Sequence, residues 1–199
     1  MKGILFKPDM IRAIVEGKKT QTRRVIKPQP YDDARLIEAC GVQSLEIDGE
    51  FRNLPKPRYQ VGEVLYIKEG YEYVSLAEKD PWKDKAIADG SFRRKPDGSL
   101  VRMCYKLDGY EIGADWLTPM FMPAWAARYF IRITDVRAGR LNEITDVEAR
   151  REGIPNSAYA VNGITSFKRL WDSINKSPFD WEANPWVWVY SFERFNGTT

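Results

Sequence analysis

The run PWVWVYSFERF at residues 185–195 limits the architecture more than any other stretch. Read as a strand, it puts Trp186, Trp188, Tyr190 and Phe192 on one face and Val187 and Val189 on the other. A segment apolar on both faces has no side to offer water, so it belongs inside the protein with material packed on each face. A chain of 199 residues with 43% hydrophobic content and 7 Trp can supply that material from one core, and a single domain over 1–199 is expected.

Local punctuation places the other elements around this strand. Ile4, Leu5 and Phe6 read as a short strand, and Pro8 opens a helix along which Met10, Ile11, Ile14 and Val15 recur at helical spacing. Gly17 is placed to end that helix in a left-handed cap. VGEVLYIKEGYEYV at 61–74 reads as one strand entering the core, Val101–Leu107 as a returning strand and Tyr129–Val136 as another. In ITDVEARREGI at 144–154, Thr145 and Glu148 have the spacing of a capping box and Gly153 closes the turn, which predicts a helix of about two turns. A further amphipathic helix runs through Phe167, Leu170, Trp171 and Ile174. Residues 31–58 read as an irregular insertion with one strand near Leu45–Ile47, and residues 75–118 as a second insertion whose part from Ser75 to Gly98 is exposed. The fold class expected is α+β, a curled or barrel-like mixed sheet with short flanking helices.

The chain has no histidine, which removes Ser-His-Asp and Cys-His nucleophile systems and His-ligated zinc, including the His-containing zinc deaminases. Any general base must be Lys, Glu, Asp or Tyr. Cys40 and Cys104 are too few and too far apart for a disulfide framework or a Cys-based zinc site, so neither metal nor cofactor is expected. No window is apolar enough to cross a membrane and the first ten residues lack a signal core, so a reducing cytoplasmic setting is expected. The net charge of +3 is small, but Lys18, Lys19, Arg23, Arg24 and Lys27 crowd into ten residues, and Arg93, Arg94 and Lys95 form a second cluster.

Four segments carry a resemblance: MIRAIVEGKKTQTRR, YQVGEVLYIKE, ITDVEARREGI and ANPWVWVYSFERF. Together they resemble the ASCH superfamily, a branch of the PUA-like β-barrels that handle RNA, and in particular ASCH-domain proteins of bacteriophages and prophages. In that group a G-[RK]-K-T-x-T-[RI]-R element opens the fold and a W-x-x-N-P-W-V-W-V strand closes it. The resemblance implies a PUA-like barrel, with the insertions at 31–58 and 75–118 added to it. It also implies an activity, because a small bacterial ASCH enzyme removes the acetyl group of N(4)-acetylcytidine with the Lys and second Thr of K-T-x-T and a Glu on a later helix. Carried onto this sequence, those residues are Lys19, Thr22 and Glu152.

Amide hydrolysis needs an activated nucleophile, a stabilised oxyanion and a proton for the leaving amine. Lys19 can act as base if burial or the neighbouring Lys18, Arg23 and Arg24 lower its pKa. Glu152, at a helix C-terminus where the macrodipole disfavours negative charge, suits the acid. Thr22 is either the nucleophile or the group that positions a water. In a regular strand Lys19 and Thr22 would point to opposite faces, so a turn or bulge between them is required.

Lys18, Arg23 and Arg24 are the candidate phosphate contacts, while Glu69, Tyr71 and Trp125 are candidates to line a pocket for the base. The phage relatives carry a cation where this chain has Ala124, which weakens a phosphate role for the element around Trp125. The plain alternatives are an exposed basic loop for GKKTQTRR, a solvated helix end for Glu152 and core packing for the aromatics. Two functions stand open: an amidohydrolase acting on a modified nucleoside such as N(4)-acetylcytidine, and a non-catalytic RNA-binding module, with RNA cleavage as a catalytic variant of the same grip. The expected partners are therefore a modified nucleoside or RNA, with no membrane.

Overall fold

The computed structural model describes residues 1–30, 34–39, 42–47, 50–109, 116–154 and 162–196. In chain order the elements are β1 (Lys2–Leu5), α1 (Pro8–Val15), β2 (Gln21–Val25), β3 (Arg35–Ala39), β4 (Val42–Ile47), β5 (Glu50–Asn53), β6 (Val64–Lys68) and β7 (Tyr71–Leu76). There follow α2 (Lys83–Ala88), β8 (Phe92–Arg94), β9 (Leu100–Tyr105), β10 (Phe130–Arg140), α3 (Asp146–Arg151), α4 (Gly163–Ile174) and β11 (Trp186–Phe195). No described helix is long and apolar enough to cross a membrane. Cys40 lies outside the described residues.

The chain divides into two compact units, the first comprising Met1–Arg12, Val64–Ile131 and Phe195–Thr199, the second Ala13–Glu63 and Arg132–Arg194. In the first unit β1 runs parallel to β6, Lys2 opposite Leu65. β9 is the middle of an antiparallel three-stranded sheet between β7 and β8, with Tyr71 opposite Tyr105 and Phe92 opposite Arg102. Its core gathers Tyr66, Tyr71, Val101, Met103, Tyr105, Met122 and two alanines. The buried tyrosine hydroxyls find acceptors, Tyr66 on the Met122 carbonyl at 3.1 Å and Tyr105 on the Ala126 carbonyl at 2.7 Å.

In the second unit β11 pairs antiparallel with β2, Thr22 opposite Tyr190 and Arg24 opposite Trp188. Trp186 through Tyr190 are all buried, so the both-faces-apolar reading of this strand holds. Leu141, Ile144, Ala149, Phe167, Trp171, Val187 and Val189 form the core against α3 and α4. Full burial of each large side chain here is worth about 1.5–3 kcal/mol. Thr145 caps α3: its hydroxyl accepts the Glu148 N–H at 3.3 Å and the Glu148 carboxylate accepts the Thr145 N–H at 3.1 Å.

The mixed α+β class is as expected, but the strand orders are open and no barrel closes among the described residues. Two element readings need correction. The stretch 61–74 is two strands, because Glu69 and Gly70 interrupt the run between β6 and β7. The supposed irregular stretch 31–58 contains an antiparallel meander, β3–β4–β5. Its strands are rich in polar residues and give little apolar alternation to read.

Candidate functional site

Lys19 reaches its position through the end of α1. Gly17 takes φ +73°, a conformation that costs glycine little, and the N–H groups of Lys18 and Lys19 both return to the Ala13 carbonyl at 2.8 and 3.0 Å. The chain then runs beside the end of α3. Lys19 and Glu152 form an isolated antiparallel bridge, and the Thr20 N–H donates to the Arg151 carbonyl at 2.8 Å. Gly153, at φ +89°, lies against this crossing: a Cβ there would come within 3.1 Å of Lys19 Cβ and 3.3 Å of Ala13 Cβ.

Residues 133 apart in sequence thus meet in the interior. Lys19 Nζ donates to Glu152 Oε2 at 2.8 Å, to the Glu152 carbonyl at 2.7 Å and to the Gln21 carbonyl at 2.9 Å. Both side chains are buried, with 0% and 4% exposure. Three acceptors match the three donors of an ammonium group. Burial pushes the Lys19 pKa down; Glu152 pulls it back up, and Arg24 and Arg23 add to the lowering. Burial therefore dominates. Lys18 is on the surface, 71% exposed and paired with Glu16 at 2.6 Å.

Arg23, expected to meet phosphate, is occupied internally. Its Nη1 donates to Glu152 Oε1 and to Gln21 Oε1, each at 3.0 Å, and its Nη2 to Glu148 Oε2 at 2.9 Å. Its guanidinium lies 5.8 Å from the centre of the Phe167 ring, and its buried Nε has no hydrogen-bond partner among the described residues. Glu148 also accepts from Arg137. Burial pushes the Glu148 carboxyl up, but the Thr145 N–H and the cations Arg23 and Arg137 outweigh it and hold the group below the usual carboxylate range. Glu148 is thus both the capping residue of α3 and a bridge between two arginines, a role concealed in the sequence by the capping-box motif.

Strand alternation puts Thr22 and Arg24 on the face of β2 opposite Gln21 and Arg23, whose side chains touch. Thr22 is buried at 2% exposure, across from Tyr190. The Arg24 guanidinium donates to the Arg23 carbonyl at 3.2 Å.

Glu69, Tyr71 and Trp125 make their contacts within the first unit. Glu69 is buried and held by Arg128 through a two-pronged pair, Nε and Nη2 each 2.9 Å from a carboxylate oxygen, while Arg128 Nη1 reaches Asp108 at 2.8 Å. Burial raises the Glu69 pKa, with the Arg128 hydrogen bonds opposing it. Tyr71 is a core residue and Trp125 is half-buried edge-to-face on Tyr73, with ring centres 5.9 Å apart. Among the described residues no three His, Cys, Asp or Glu side chains gather where they could hold a metal ion.

No family model matches the chain, and no curated protein matches it. The chain is similar to the crystal structure of protein EF3133 from Enterococcus faecalis V583, of family model DUF984. The identity is 12% over 100% of this chain and 86% of that one, with a TM-score of 0.41. A likeness that loose carries neither a fold nor an activity across.

Proposed function

We propose that this protein is an ASCH-superfamily member of the PUA-like class that hydrolyses the acyl amide of a modified nucleoside, with N(4)-acetylcytidine as the simplest substrate. The observation that carries the reading is the buried contact of 2.8 Å between Lys19 and Glu152. It unites the lysine of the K-T-x-T element with the later helix glutamate, two of the three residues that the ASCH resemblance implies; the third, Thr22, lies on β2 across from Tyr190 and enters the reading through the resemblance alone.

The pair moves one proton. With Lys19 as amine and Glu152 as acid, the amine takes the proton of the attacking hydroxyl, from Thr22 or from water. The oxygen bonds to the acetyl carbon, and Glu152 gives its proton to the cytosine N4 as the C–N bond breaks. Lys19 is left as ammonium and Glu152 as carboxylate, and a proton crossing between Nζ and Oε2 restores the starting pair. If Thr22 attacks, water then cleaves the acetyl ester; either way one water is consumed and acetate and cytidine leave. Burial of Lys19 favours the neutral amine that starts this cycle.

One observation favours the second reading, a non-catalytic RNA-binding module: the ammonium of Lys19 has all three donors placed on protein oxygens, as in a purely structural pair. Turnover separates the two. Wild-type protein with N(4)-acetylcytidine should release cytidine and acetate in equal amounts, and Thr22→Ser should keep the rate within about tenfold while Thr22→Val loses at least about a hundredfold if the hydroxyl takes part. Absence of turnover in the wild type, with salt-sensitive RNA binding, would sink the hydrolase reading and favour the module.

A further inference from the structure

The basic run Arg93, Arg94 and Lys95 has no part in the Lys19–Glu152 site. It lies in the first unit, on the edge strand β8 and the turn that follows it. Arg93 stands opposite Val101 of β9, and Val101 opposite Ser75 of β7, so these three side chains share one face of the sheet. Tyr73, opposite Met103, is on the same face. The middle of that face, Val101, Met103 and Tyr105, belongs to the apolar core, and Tyr73 and Trp125 pack half-buried at its margin. Lys95 turns onto the same margin: its Nζ lies 4.9 Å from the centre of the Tyr73 ring, which meets the Trp125 ring at 5.9 Å. The one-turn segment Ala124–Ala126 that carries Trp125 lies beside β8.

The cations of this margin have little acid to neutralise them. Arg93 Nη1 donates to the carbonyls of Gly90 at 2.9 Å and Phe92 at 2.7 Å, and its Nε and Nη2 make no hydrogen bond among the described residues. Of Arg93, Arg94 and Lys95, only Lys95 has an ion pair there, to Asp97 at 3.8 Å, too long for a hydrogen bond. Asp97 serves the turn, where its Oδ1 accepts the Ser99 N–H at 2.9 Å and the Ser99 hydroxyl at 2.6 Å. Glu72, opposite Cys104, is on the other face, and Asp89 pairs at 3.3 Å with Arg102 of that other face. Glu69 and Asp108 are held by Arg128. Guanidinium and ammonium groups suit phosphodiester oxygens, and a half-exposed ring beside them suits an unstacked base. Single-stranded nucleic acid offers both together, whereas a duplex keeps its bases stacked.

We infer that this margin of the β7–β9–β8 sheet docks single-stranded RNA, with Arg93 and Lys95 on phosphates and Trp125 against a base. The Tyr73 ring, already taken up by Lys95, buttresses both. Arg94, opposite Leu100, faces the other side of the sheet and is outside the surface. None of these residues falls in the four segments that carry the ASCH resemblance, so the resemblance does not supply the surface. The surface stands apart from the proposed hydrolysis; only the choice of RNA over DNA rests on that reading, through its ribonucleoside substrate.

The test is fluorescence anisotropy with an end-labelled single-stranded RNA of about ten nucleotides over a salt series, beside DNA of the same sequence and the RNA duplex. The proteins are wild type, Arg93→Gln/Lys95→Gln, Arg94→Gln and Trp125→Leu, each checked by thermal unfolding. The double variant should bind the RNA at least about tenfold more weakly and lower the slope of log affinity against log salt by about 1.4, the share of two phosphate contacts on a single strand. Arg94→Gln, which removes a charge from the same strand but the other face, should weaken binding by less than about twofold. Trp125→Leu should weaken it by at least about fivefold with the salt slope unchanged. A double variant that binds like the wild type, an Arg94→Gln loss as large as that of the double variant, or a duplex bound as tightly as the single strand overturns the surface. RNA bound more tightly than DNA supports the choice of partner, and DNA bound as tightly or more so overturns it. The double variant should hydrolyse free N(4)-acetylcytidine at the wild-type rate. A wild type that binds RNA through these residues without hydrolysis removes the hydrolase and leaves the surface standing; hydrolysis with RNA binding indifferent to them removes the surface alone.

Discussion

Lys19 and Glu152 constrain each other through burial. A charge left alone in that position has no water to turn to, so removal of one partner costs about 3–5 kcal/mol, more than the pair itself adds to stability. Lys19→Met should therefore lower the unfolding free energy by about 3 kcal/mol in denaturant titration, and Lys19→Met combined with Glu152→Gln should recover most of that loss while remaining inactive. A double variant no more stable than the single one would mean that Glu152 is satisfied without Lys19. Glu148 gives a prediction in pH. Its folded pKa lies below the ordinary carboxyl value of 4.5, so its ionised form is favoured in the folded state. That contribution is fully present above 4.5 and fades as pH falls through the lowered folded value. Glu148→Gln should flatten the acid limb of the stability profile, measured as the change in unfolding midpoint between neutral and acid pH.

Helix α3 is only Asp146–Arg151, yet it carries Glu148 within it and Glu152 at its C-cap, so its placement sets both carboxylates. Thr145→Ala should cost about 1 kcal/mol through the lost cap and lower turnover by more than that loss of stability explains, since Glu148 also loses a fixed orientation. Gly153→Ala should be worse, about 1–2 kcal/mol, because φ +89° is strained for alanine and its methyl would press on Lys19 Cβ. Thermal unfolding beside initial rates checks both. The α3 cap, the α1 stop at Gly17 and the closing strand β11 could all be read from sequence, because each is fixed by neighbours within a few residues. Lys19 and Glu152 were legible through the ASCH-like motif. The engagement of Arg23 was not: that a strand residue reaches an acid 129 positions away depends on which face of β2 meets α3. The break at Glu69 and Gly70 was not read either, and there Glu69 is held by Arg128, 59 positions on.

At the scale of the whole molecule, each compact unit has its own apolar core, and the candidate site residues that meet, Lys19, Arg23 and Glu152, belong to the second, as do Thr22 and Arg24. A substitution in the first core should then act on stability alone. Tyr105→Phe deletes the hydrogen bond to the Ala126 carbonyl and should cost about 1 kcal/mol, with the rate on N(4)-acetylcytidine unchanged. The most direct test of catalysis by the buried pair is the initial rate of cytidine release from N(4)-acetylcytidine by wild type and Glu152→Gln, a change that keeps the shape and removes the transferable proton. The wild type should turn over, and Glu152→Gln, still folded, should fall by at least about a hundredfold. A folded Glu152→Gln protein that matches the wild-type rate would contradict a proton-moving role for Lys19 and Glu152.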